Sequence, residues 1–137
     1  MIVRDEARLD GRTSITWTEA AELPLCLLTG NMQCRRGIDG ALAAVGASVQ
    51  PRVETDSLMA LYAHVRCAGL FSIVPHSVLC LAEMRDELKA VPLTPVLHRD
   101  IGLVLLDRQP RSPLLEAAVS LFREVDLQSR MDALLPF

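Results

Sequence analysis

The sequence predicts an α/β fold, a mostly parallel sheet flanked by helices, on two observations. The first is VETDSLMALYAHVRCAGLFSIVP, residues 53–75, which reads as strand, helix, strand. Asp56 and Ser57 are residues that cap helices, and Leu58, Leu61, Tyr62 and Val65 then recur at the spacing of one buried helical face. Gly69 ends that helix. The run 71–74 is too short for a helix and too apolar for an edge strand, so it is expected in a sheet covered on both faces. A unit of this kind is expected to close as a right-handed crossover, with the helix amino end at 55–57 pointing out of the carboxyl edge of the sheet, where ligands sit. The second observation is the apolar run 25–29, closed by Thr29-Gly30-Asn31 and followed by a helical pattern.

Taken in order, residues 1–14 are a short apolar start and a charged stretch with a turn at Asp10-Gly11, and no compact element is predicted there. Thr16 and Glu19 stand at capping-box spacing, which starts a helix of one to two turns through Ala20, Ala21 and Leu23 until Pro24 stops it. After the strand at 25–29, a helix is predicted over 32–45 with Cys34, Ile38, Ala41, Leu42 and Val45 inward. Gly37 and Gly40 weaken it by roughly 1 kcal/mol each relative to alanine, and imply close packing against a neighbour. A strand at 52–55 leads into the 53–75 unit. A short helix at 77–84 and a strand at 88–93 follow, Pro92 confining that strand to an edge or ending it. The mostly apolar stretch 97–106 is expected to be a long, well-covered strand. Ser112-Pro113 is a cap followed by proline at the first helical position, and Leu115, Ala118, Phe122 and Val125 mark the inner face of the helix it starts. Alternating helices and strands in this order belong to the α/β class.

Length and composition narrow the function classes. A chain of 137 residues, half of them hydrophobic, supports one core of ordinary size. A net charge of −3 without like-charge blocks gives no electrostatic footprint for nucleic acid or an anionic membrane. Apolar stretches fall far short of the roughly 20 residues of a membrane span, and MIVRDEARLDGR has no apolar signal core, so a cytoplasmic protein is expected. Cys26, Cys34, Cys67 and Cys80 lack paired spacing and lie in apolar segments, which predicts buried reduced thiols. His64, His76 and His98 have no metal-ligand spacing, and no metal or other cofactor is expected.

Four stretches together, PLCLLTGNMQCRRGIDGALAAVG, VETDSLMALYAHVRCAGLFSIVPHSVL, LKAVPL and RDIGLVLLDRQPRSPLLEAAVSLFREV, resemble in order and spacing the effector-binding domain of LysR-type transcriptional regulators, from its middle to its C-terminus. The resemblance covers roughly residues 13–126. It implies a two-lobed domain of the type-2 periplasmic-binding-protein fold, with a small-molecule effector between lobes joined by hinge strands, and DNA binding through a separate N-terminal helix-turn-helix that this chain lacks. It divides the chain into a hinge remnant and short helix (1–23), a second effector-binding lobe (24–96), and a return strand and C-terminal helix of an incomplete first lobe (97–137). An incomplete first lobe implies in turn a homodimer that covers the apolar faces of the return strand and of Leu115, Phe122 and Val125.

Two clusters are candidate effector contacts. Thr55, Asp56 and Ser57 combine hydroxyls with helical amides, a seat for a carboxylate, sulfate or phosphate, and most such ends merely hold water. Thr29, Gly30, Asn31 and Met32 offer a similar turn into a helix at the same sheet edge. Arg35 and Arg36 follow at once, but on a helix with Cys34 and Ile38 inward at least one of them is expected in solvent. Two rivals remain beside an effector-sensing regulator fragment. One is a solute-binding protein of the same fold, disfavoured by the absent signal core. The other is a small α/β enzyme pairing Cys26 or Cys67 with His64 or His76, for which no nucleophile elbow or local signature exists, so no enzyme is expected.

Overall fold

A computed structural model describes residues 2–4, 9, 11–79, 88–100, 102–106 and 110–134. It divides into two compact units, Met1–Leu97 and His98–Pro136. In the first, the elements in chain order are β1 (Ile2–Arg4), β2 (Ile15–Thr16), α1 (Trp17–Ala21), β3 (Cys26–Leu28), α2 (Gln33–Ala44), β4 (Val53–Thr55), α3 (Leu58–Ala68), β5 (Ser72–Ile73), α4 (His76–Leu79), β6 (Lys89–Val91) and β7 (Leu93–Thr94). In the second they are α5 (Pro113–Glu124) and α6 (Leu127–Leu134).

Local chemistry explains where the helices begin and end. At α1 the Thr16 hydroxyl accepts from the Glu19 N–H at 3.2 Å, and the Glu19 carboxylate accepts from the Thr16 N–H at 2.9 Å, so the capping box is complete. Ser57 caps α3 by accepting from the Ala60 N–H, and Gly69 closes it with φ +63°, a left-handed turn that glycine makes without strain. Ser112 caps α5, with Pro113 at its first position. Beyond α5 the chain does not run on: Val125 turns extended, and the Asp126 carboxylate accepts from the Ser129 N–H to start α6.

The fold is α/β, but where a single, mostly parallel sheet is expected the described residues form three small ones. Two are parallel pairs, β3 with β4 and β2 with β7. The third has the order β5-β1-β6, with β1 antiparallel to both neighbours. Helical crossovers constrain the strands they join to run parallel, and several elements separate β1 from β5 and from β6 along the chain, so the alternation of helices and strands does not dictate its direction. The 53–75 unit is also not a pair of adjacent strands. β3 lies between its two ends, paired with β4 on one side and bridged to Phe71 on the other, where the Cys26 N–H donates to the Phe71 carbonyl at 2.8 Å and the Phe71 N–H to the Pro24 carbonyl at 3.0 Å. Pro92, with no N–H to give, separates β6 from β7.

The core of the first unit follows from this placement. Leu25, Cys26, Leu27 and residues 71–74 are buried, with Ile38 and Leu42 of α2 and Leu61 and Val65 of α3 closing over the strands. Each large side chain moved from water into this core contributes about 1.5–3 kcal/mol. Trp17 is anchored at both ends of its character: its ring is 3% exposed, and its indole N–H donates to the Pro95 carbonyl at 2.8 Å.

Several expectations are corrected. Residues 102–106 form no strand, and Leu103, Val104 and Leu106 are exposed, Val104 almost fully. Apolar content alone does not make a strand; a ladder partner must satisfy its N–H and C=O groups, and none among the described residues does so. Ile101 lies outside the described residues. β2 occupies a position where no strand was predicted, because two residues leave no period to read. Val45 and Leu58 lie at solvent-facing ends of their helices, and Cys67 is exposed, whereas Cys26 is buried and Cys34 half-buried, all three reduced. Cys80 and the later part of the predicted 77–84 helix lie outside the described residues. The close packing expected at the two glycines is absent among the described residues: a Cβ at Gly37 would meet the Leu97 side chain at an ordinary 3.7 Å, and one at Gly40 would face open space. In the second unit Val119 is the buried residue of α5; Leu115, Phe122 and Val125 are half-buried, Ala118 is exposed, and Leu114 and Leu121 point into water.

Candidate functional site

The parallel pairing of β3 and β4 places the two predicted loops side by side. Leu28 is registered on Thr55, and the Thr29 N–H donates to the Thr55 carbonyl at 3.0 Å, so residues 29–32 and 55–57 leave the sheet together at its carboxyl edge. Each loop then enters a helix, α2 after Met32 and α3 after Ser57. Thr29, Met32 and Thr55 are half-buried; Gly30, Asn31, Asp56 and Ser57 are exposed.

The two helix ends differ in how far their own side chains satisfy them. At α3 the Thr55 hydroxyl accepts from the Ser57 N–H at 3.1 Å while Ser57 takes the Ala60 N–H, so this end is capped from within. The Thr55 hydroxyl keeps its own proton to donate. At α2 the cap position is Met32, whose side chain makes no capping bond. The loop before it is braced instead by the Thr29 hydroxyl donating to the Asn31 side-chain oxygen at 2.7 Å and by the Met32 N–H donating to the Thr29 carbonyl at 3.0 Å. That bond turns the Asn31 amide NH2, two donors, away from Thr29. Together the loops offer hydroxyl, amide and backbone N–H donors on a partly exposed ledge, a set suited to an oxygen-rich or anionic group.

Beneath the ledge lies Arg35, one of the two arginines of which at least one is expected in solvent. It is buried, and its guanidinium Nη1 donates to the Leu28 carbonyl at 2.8 Å and to the Glu54 carboxylate, while Nε donates to Asp39 at 2.7 Å. Burial works against its charge, and the hydrogen bonds it donates to Asp39 and Glu54 outweigh that, so its pKa is raised above the ordinary arginine value. Arg36 is the solvated one of the pair, donating to the Gln33 side chain at 2.7 Å. The signals in the sequence were the Arg35–Asp39 spacing of four and a lone carboxylate, Glu54, inside a strand. What they lacked was the register that sets Glu54 opposite Leu27, one residue before Leu28.

Among the described residues no group of three or more His, Cys, Asp or Glu side chains is placed to hold a metal ion, and no helix is long and apolar enough to cross a membrane. The family model described as the LysR substrate binding domain matches residues 1–126. That family is a non-enzymatic regulatory domain, which sets the thiol-enzyme alternative aside. No curated protein matches the chain.

Proposed function

We propose that this chain, which belongs to the LysR substrate binding domain family, senses a small-molecule effector at the ledge formed by Thr29, Gly30, Asn31, Met32, Thr55, Asp56 and Ser57. In this reading residues 24–96 are one effector-binding lobe of a cytoplasmic LysR-type regulator. The observation that carries it is the Thr29 N–H to Thr55 carbonyl bond, which brings two loop-to-helix turns to one sheet edge. No bond of the effector is made or broken. An effector with more contacts in one arrangement of the domain than in another shifts the population toward the first, and that differential affinity is the whole of the signal. DNA is contacted by the regulator's helix-turn-helix and not by these residues.

A thermal-shift screen of small carboxylates and phosphates on the 137-residue chain tests the site. A ligand at a hundred times its dissociation constant stabilises by about 2.7 kcal/mol, a shift of several degrees. Thr55→Val removes the hydroxyl proton and the bond to the Ser57 N–H while keeping the side-chain shape, and is expected to weaken such a ligand about tenfold. A ligand whose affinity is indifferent both to Thr55→Val and to Asn31→Ala binds elsewhere, and the assignment fails.

We further propose that the second unit works as a homodimer. Leu103, Val104, Leu106, Leu114 and Leu121 are all exposed, and residues 102–106 have no strand partner among the described residues. Leaving such side chains in water forfeits about 1.5–3 kcal/mol each, and a second copy offers a matching apolar face and an extended segment with which residues 102–106 can pair. Sedimentation at micromolar concentration is expected to show a dimer that Val104→Asp dissociates. A monomer in the unsubstituted chain refutes it.

A further inference from the structure

Arg35 breaks two local rules. It sits in the first turn of α2, where a cation opposes the helix macrodipole, and its pairing with Asp39 runs basic residue first, the weaker sense of such a pair. Its side chain is also only 9% exposed, so it has given up most of its water. Local propensity therefore does not account for an arginine here, and departures of this kind concentrate where a residue serves a site.

The partners show what that service is. Leu28, whose carbonyl accepts from Nη1 at 2.8 Å, is the residue before Thr29; Glu54, whose carboxylate accepts from the same nitrogen, is the residue before Thr55. Asp39, held by Nε, belongs to the helix that the first loop enters. One buried guanidinium is thus bonded to the root of each ledge loop and to α2. Its positive charge faces two carboxylates, each about half exposed, so it has no surplus charge to offer an anion on the ledge. We infer that Arg35 is a positioning residue of the candidate effector site, fixing the spacing of loops 29–32 and 55–57 from beneath without touching the ligand. Calling the ledge a site rests on the effector reading above; the bracing of the two loops does not.

The test separates local bracing from general stability by backbone amide exchange on the 137-residue chain. The reporter is the Thr29 N–H, bonded to the Thr55 carbonyl between the loops; the references are the Ile15 N–H, bonded to the Pro92 carbonyl, and the Phe71 N–H, bonded to the Pro24 carbonyl, in the same unit. In Arg35→Met, exchange at Thr29 is expected to rise about tenfold relative to both references, and in Glu54→Gln by a few-fold. Arg35→Lys, which can keep a charge near Leu28 and Glu54 but cannot also hold Asp39, is expected to fall between. An equal rise at all three amides, or none at Thr29, overturns the inference. Should Arg35→Met fail to fold, Glu54→Gln decides alone, since an unchanged ratio there has the same meaning. A parallel sulfate titration follows the amides of residues 30–34 and 56–59. Sulfate is expected to shift them, about tenfold more weakly in Arg35→Met. A wild-type chain whose ledge amides ignore sulfate removes the anion-seat reading and leaves the exchange ratio to decide Arg35.

Discussion

Phe71→Ala strikes the joint between the two halves of the first unit. The ring is fully buried, and the backbone of the same residue bridges β3 to the strand that continues into β5. Truncation keeps the bonds from the Cys26 N–H and to the Pro24 carbonyl, because both are backbone bonds. What is lost is the transfer free energy of the ring and the contacts around the cavity it leaves, about 3–5 kcal/mol for a buried phenylalanine. Set against a typical total of about 5–15 kcal/mol, that is a large part of the stability. The single tryptophan, Trp17, is buried in the same core and reports unfolding by its fluorescence. In urea, with a slope of about 2 kcal/mol per molar, a loss near 4 kcal/mol lowers the midpoint by about 2 M. Met59→Ala is the control: that residue is 73% exposed, and its truncation is expected to change stability by less than about 0.5 kcal/mol. A loss below about 1.5 kcal/mol for Phe71→Ala, at unchanged slope, would show that this core is not packed around the ring and refute the reasoning.

Two further outcomes follow from titratable groups. The bond from the Thr16 backbone, with Arg12 and the Thr16 hydroxyl adding to it, lowers Glu19 from 4.5 to about 2; a carboxyl depressed on folding contributes stability that is full above pH 4.5 and lost as pH falls towards 2. Thermal unfolding followed across that window is therefore expected to show a shallower pH dependence in Glu19→Gln, and identical profiles would mean that the capping box does not titrate with folding. Cys67 is exposed and Cys26 is fully buried, with burial pushing its thiol pKa up, so an aromatic disulfide reagent is expected to modify Cys67 quickly in the folded chain and Cys26 only on unfolding. Mass mapping of the labelled peptides checks this, and early labelling of Cys26 would contradict its burial.

What the sequence determined alone are the features whose causes lie within a few residues. Thr16 and Glu19 fasten one another across a single turn, Ser57 and Ser112 cap the helices they precede, and Gly69 supplies the left-handed turn that ends α3. Apolar spacing put α2 and α3 within a residue or two of where they stand, and the run 71–74 among the buried strands. The positions of the two candidate loops followed, since each is the gap between a legible strand and a legible helix. Only tertiary structure decided which strands are neighbours: β3 between β4 and Phe71, and β1 antiparallel to β5 and β6. It also decided that residues 102–106, as apolar as any strand here, have no ladder among the described residues, and that Arg35 turns inward while Arg36 turns out. Adjacent arginines look alike to a periodic reading. They are told apart by Leu28 and Glu54, 7 and 19 residues away along the chain, because a buried charge is tolerated only where partners from other elements arrive to meet it.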